Sequence, residues 1–194
     1  MRIYKVNADF KRYDSCSVDY DACAVEHEFG KNELLIDFDG TSKLDGWWPR
    51  IIVRNFDSPK KKLGDYINKI SSDVVILEKK ALEKIRPLMG DVEVLPLACD
   101  FGDYWAINVL SVLACIDYEK SEYKVFSTNS FINGHPRVMY FKKYEFQRDA
   151  VGDHHMFKII DEPKSAIFVD EVFVNAVKEH KITGFEFELV WEQL

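Results

Sequence analysis

Two stretches of the chain repeat one grammar: a short apolar strand, an acid-capped helix, a glycine turn and a second strand. Residues 74–77 (VVIL) lead into 78–88, where Ala81, Leu82, Ile85 and Leu88 share one face at helical spacing. Residues 166–169 (AIFV) lead into a segment where Val172, Phe173, Ala176, Val177 and His180 do the same. Glu78 and Asp170 stand where a carboxylate satisfies the first amides of a helix and meets its positive end. Gly90 and Gly184 mark the exits, and Pro87 belongs to an ending last turn. The second strands are 92–97, where Pro96 implies an edge or a bulge, and 185–191 (FEFELVW), which alternates apolar and acidic residues. The two copies align without gaps through the helix at an offset of 92 residues, placing Ile76 on Phe168, Glu78 on Asp170 and Ile85 on Val177. A one-residue slip then brings Val92 onto Phe185. An ancient duplication and two solutions to one packing problem both produce such a pattern.

The pattern predicts an α+β fold: a single compact domain over 1–194, its mixed sheet built on two similar strand–helix–strand modules (about 74–97 and 166–191) with extra strands. Residues 1–7 open with a strand, and 34–38 (LLIDF), 51–53, 138–146 and 156–160 read as further strands. Residues 104–116 (YWAINVLSVLACI) form a buried strand or strand pair, followed by a turn or hairpin at 117–121. Residues 1–45 are the less regular, acidic portion, and 8–33 read as irregular.

Of the 194 residues, 47% are hydrophobic and 14% aromatic, which excludes a wholly disordered chain. Lys and Arg number 26 against 33 Asp and Glu, a net charge of −7 that argues against general binding to nucleic acid or anionic membrane. The N-terminus lacks an apolar stretch of secretory length, and 104–116 is too short to span a bilayer, so a cytoplasmic location is expected. Cys16, Cys23, Cys99 and Cys115 show no metal-type spacing and read as reduced thiols; a loop disulfide between Cys16 and Cys23 has no support beyond the count.

Catalytic templates fail: there is no GxSxG, GxxxxGK[ST], HExxH or strand-borne GxGxxG. Asp153-His154-His155 is the one histidine cluster, and it reads as an ordinary polar turn rather than a metal site. A Cys115–His135 nucleophilic pair is unconstrained, since Cys115 lies in the most apolar segment. Asp37 and Asp39 share a strand face and read as a solvated strand end rather than a cation site. No catalytic residue, cofactor or metal is therefore expected.

Two features point to protein binding. Between Arg12 and Lys31 lie Asp14, Asp19, Asp21, Glu26 and Glu28 with no Lys or Arg among them, a run that reads first as a solvated loop and, as a binding feature, would steer a basic partner. Trp47 and Trp48, near Arg50 and Arg54, suit either core packing or an interface anchor.

Several patches carry a family resemblance: Trp48-Pro49; Asp65-Tyr66 leading into VVILEKKALEKIRPLM; Leu95-Pro96; Tyr104 and Asn108; Ile116-Asp117 with Ser121; and Thr183-Gly184-Phe185. With these the chain resembles, over most of 65–194, a family of bacterial immunity proteins from polymorphic toxin systems, of the myxobacterial type long catalogued as a domain of unknown function. The matching residues are packing and turn signatures, not an active site. The resemblance implies a small cytoplasmic protein that binds and neutralises a cognate toxin domain without catalysis. It leaves the toxin, the interface and the oligomeric state open. The competing classes are a binding module for some other protein and a small hydrolase using Cys115 or a metal near His154.

Overall fold

Alternation along short strands decides how this chain layers. In β4 (Val75–Glu78), Val75 and Leu77 enter one core while Ile76 and the preceding Val74 enter another. Likewise, in β6 (Tyr104–Val109) Ile107 and Val109 point to the first core and Tyr104 and Ala106 to the second. Such strands are buried on both faces, which is why they read as continuous apolar runs. The structure, a computed structural model, describes residues 1–19, 38–40, 50–55, 61–67, 72–126, 131–132 and 135–193.

These residues form two five-stranded sheets. One has the order β14 (Phe185–Glu192), β1 (Arg2–Ala8), β13 (Phe168–Asp170), β12 (Met156–Ile159) and β7 (Val112–Leu113). The other runs β2 (Ser15–Val18), β3 (Arg50–Asn55), β5 (Val92–Ala98), β6 and β4. Both sheets are mixed, and each holds one of the expected modules. In the first module β4 leads into α1 (Lys79–Ile85), a 3-10 turn at Arg86–Leu88 and β5. In the second β13 leads into α3 (Glu171–Glu179) and β14. The two strands of each module run parallel and flank a third, antiparallel strand: β6 between β4 and β5, and β1 between β13 and β14. The N-terminal strand thus takes in the second module the place that the following strand takes in the first.

The acids read as caps are caps. Glu78 accepts from the amides of Lys80 and Ala81, and Asp170 from that of Phe173. Ala81, Leu82 and Ile85 of α1 and Phe173, Val174 and Val177 of α3 enter one shared core with Val6, Val75, Ile107, Val169 and Phe185. The modules therefore bury their helices against each other between the sheets and form one compact α+β domain.

The other face of the first sheet carries Ile3, Phe157, Phe168 and Trp191, covered by Cys115, Ile116, Val138, Phe141 and Phe146. Over it lies a two-stranded ribbon of β8 (Glu122–Val125) and β11 (Val138–Lys143), followed by the short helix α2 (Arg148–Val151). A second ribbon pairs β9 (Phe131–Ile132) with β10 (His135–Pro136).

Three details differ from the sequence reading. Residues 15–18, expected to be irregular, form β2, because Cys16 is fully buried and the strand pairs with β3 from Ser15↔Asn55 to Val18↔Ile52. β5, in which Pro96 implied an edge or a bulge, lies inside its sheet between β3 and β6, with Leu97 opposite Arg50 and Ala98 opposite Ile51. Residues 34–37, read as strand, lie outside the described residues.

Candidate functional site

A groove of about 1020 Å³ opens between residues 143–150 and the end of β14 at 190–193. Its floor is aromatic. The Phe146 ring packs at 5.7 Å from Phe168, 5.9 Å from Trp191 and 6.2 Å from Phe157, each edge to face. Tyr144 stacks on Phe141 at 4.8 Å and donates its hydroxyl hydrogen to Glu162 Oε2 at 3.0 Å. Burial raises both the Tyr144 phenol and the Glu162 carboxyl above their ordinary values, so the phenol stays protonated as the donor.

One wall of the groove is pinned by the turn at 117–121. The Ser121 amide donates to the Asp117 carbonyl at 3.0 Å, and Ser121 Oγ accepts from the Glu145 amide at 3.0 Å. The Asp117 amide donates to the Glu145 carbonyl at 2.9 Å, and Gln147 N to the Cys115 carbonyl at 2.8 Å. Ile116-Asp117 and Ser121, which carry part of the family resemblance, are thus the residues that hold this wall in place.

The rim is charged and paired. Lys120 Nζ lies 2.9 Å from Asp117 Oδ2, Lys143 Nζ 3.8 Å from Glu145 Oε2, and Arg2 Nε 2.6 Å from Glu192 Oε1. The hydrogen bond from Lys120 holds the Asp117 carboxyl below its usual range. Exposed pairs of this kind contribute little stability, roughly 0–1 kcal/mol each. They do present alternating charge around an apolar floor, the arrangement that selects a protein partner.

Of the residues expected to meet a partner, the structure describes Asp14 and Asp19. Asp14 is a correction: it is 2% exposed, and Arg54 grips its Oδ2 through Nε at 2.9 Å and Nη2 at 2.5 Å. Its amide donates to the Lys62 carbonyl at 2.9 Å. Asp14 therefore anchors β2 against β3 and presents no charge to a partner. Asp19 is half-buried just beyond β2. Asp21, Glu26, Glu28, Trp47 and Trp48 lie outside the described residues, as do Cys23, His27 and Asp37.

The candidate chemistry is also placed. Cys115 is fully buried, and burial pushes its thiol up to about 12, far from the thiolate a nucleophile needs. His154 Nδ1 meets the Val151 carbonyl at 3.0 Å. His155 Nδ1 meets Asp170 Oδ2 at 2.8 Å, so it supports the acid that caps α3. Among the described residues no group of three or more His, Cys, Asp or Glu is gathered as metal ligands. Among them too, no helix is long and apolar enough to cross a membrane.

Residues 100–192 match the model of the Imm11 immunity protein family. The Imm11 match bears out the resemblance read from the sequence. It contains both groove walls, the β8–β11 ribbon and the second module, whereas β1 to β5 lie before it. No curated protein matches the chain. The sequence reading missed the groove, whose walls are joined only by folding, and a fully buried lysine, Lys158 on β12, which donates to the Phe38 carbonyl. The single charge inside the otherwise apolar run 156–160 (MFKII) was the one available signal for that lysine.

Proposed function

We propose that this protein is an immunity protein that neutralises a cognate bacterial toxin domain by direct contact, in the cytoplasm of the producing cell, without catalysis. The observation that carries the reading is the Imm11 match over 100–192. The groove fits it physically: an inhibitor needs a rigid, shaped and charged surface, and the groove sets an aromatic floor inside a rim of ion pairs.

The acidic segment contributes electrostatic steering in this reading. Asp19, Asp21, Glu26 and Glu28 attract a basic toxin face and raise the association rate, and Trp47 and Trp48 are candidate anchors. The test is to co-express the protein with the C-terminal domain encoded by the adjacent upstream gene. Restored growth together with a purified complex supports the reading. A toxic domain that kills equally with and without the protein refutes that pairing.

A further inference from the structure

The β8–β11 ribbon departs from strand geometry in a way that exposes side chains. Val138 pairs with Val125 but Tyr140 with Lys124, and Phe141 pairs with Tyr123 but Lys143 with Glu122. Met139 and Lys142 are thus extra residues, each a bulge, within a strand of six residues. Plain alternation would turn Tyr140 to the same side as buried Val138. Two bulges instead give β11 a three-residue period, in which Val138 and Phe141 are buried and the two residues after each face water.

What they expose is apolar and cationic. Met139 and Tyr140 are each 41% exposed and Phe126, at the ribbon's end, 55%. The Arg137 guanidinium lies 4.8 Å over the Phe126 ring, and the Phe126 amide donates to the Arg137 carbonyl at 3.1 Å. Lys124, Arg137, Lys142 and Lys143 are all exposed, against one exposed carboxylate on the two strands, Glu122. In a chain of net charge −7 this is a local cationic surface. Lysines and bulges also serve to keep strand edges from pairing with other sheets. That purpose accounts for Lys142 and Lys143 but not for three large apolar side chains held in water beside them, an association of aromatic, Met and Arg groups enriched at interfaces.

We infer that the twice-bulged ribbon is the main toxin-docking surface, and that it takes a face of the toxin domain where an acidic rim surrounds an apolar pocket. The inference rests on the toxin-neutralising reading and adds the partner's chemistry. Phe126, Met139 and Tyr140 fill the pocket, and the four cations meet the rim. Lys143 also lines the groove, so ribbon and groove form one continuous surface.

The test uses the full-length protein and, as probe, the purified C-terminal domain encoded by the adjacent upstream gene. Met139→Ser/Tyr140→Ser and, separately, Lys142→Glu/Lys143→Glu are compared with wild type by calorimetric titration and thermal melting. The expected result is a 100-fold or greater loss of affinity in each variant with the melting temperature unchanged. If the serine variant melts early, the glutamate variant decides, since its substituted groups stand in solvent. Wild-type affinity in the glutamate variant overturns the ribbon inference and leaves the immunity reading standing. A probe that does not bind wild-type protein overturns both. Self-association abolished by either pair of substitutions, with toxin affinity intact, assigns the ribbon to a second copy of the chain and likewise overturns the inference.

Discussion

The Asp65 carboxylate accepts two hydrogen bonds from Thr183, each 2.7 Å long, one from the backbone amide and one from the hydroxyl. Around this pair the Tyr66 amide donates to the Thr183 carbonyl at 2.9 Å, and the Glu78 amide to the Asp65 carbonyl at 2.8 Å. One acid therefore fixes the entry to the first module against the entry to the last strand of the second. Tyr66 stacks on Phe185 at 4.4 Å directly beside it. Replacing Asp65 by Ala leaves the Thr183 donors unmatched, and the expected cost is about 2–3 kcal/mol, read as a lowered denaturant midpoint. Asp65→Asn, which keeps acceptor capacity, loses less.

Gly184 carries the tightest contact of this clasp. Its φ is +94°, and a Cβ there would sit 2.0 Å from the Tyr66 carbonyl oxygen. That neighbour is backbone and cannot turn aside. Gly184→Ala is expected to destabilise by about 3 kcal/mol or more and to lower soluble yield. A variant with unaltered melting would show that the two modules do not close in this way.

Asp14 and the acids that follow it separate by the quantity each changes. Asp14→Ala breaks a buried ion pair with Arg54, and a loss of about 3 kcal/mol in stability is expected. Charge reversal at Asp19, Asp21, Glu26 and Glu28 should slow association with the toxin domain and flatten its salt dependence. Stopped-flow association at two ionic strengths distinguishes these outcomes, and unchanged rates in the quadruple variant remove steering from the account.

Lys158 and Cys115 give opposite pH signatures. Burial lowers the Lys158 amine to about 8 from 10.5, against the opposing pull of Asp73 and Asp39. Between those values the unfolded chain binds more protons than the folded one, so this group makes stability rise with pH. The stability difference between wild type and Lys158→Met should therefore shift in favour of wild type from pH 8 to 10.5, by about 2–3 kcal/mol. Cys115, raised from 9.0 to about 12, acts the other way: its folded state retains the proton, and stability is lost as pH rises above 9. Cys115→Ala should soften that loss. Equilibrium denaturation across this range reads both, and parallel curves for Lys158→Met and wild type would contradict the buried-amine assignment.

Local order was legible in the sequence and long-range order was not. The helices declared themselves because Ala81, Leu82 and Ile85, and Phe173 and Val177, repeat at helical spacing behind Glu78 and Asp170, which are local signals. β14 was legible from strict alternation at its start, 185–188. β2 was not, since SCSV is short and polar and becomes a strand only through β3. Asp14 looked like the other acids because its partner, Arg54, is 40 residues away. Asp65-Tyr66 and Thr183-Gly184-Phe185 were both recognised as family-like, yet nothing periodic links residues 118 apart, and only the fold shows that they touch. The bulges of β11 were hidden for a related reason: VMYFKK reads as ordinary strand until the register with β8 is known.

The central claim is that this chain neutralises a toxin by holding it. The most direct measurement is survival of cells expressing the adjacent upstream C-terminal domain, with and without this protein, joined to size-exclusion of the mixed purified pair. The account predicts restored growth and co-elution as a stable complex. A toxic domain that kills cells regardless of this protein, or protection without any complex, would contradict it.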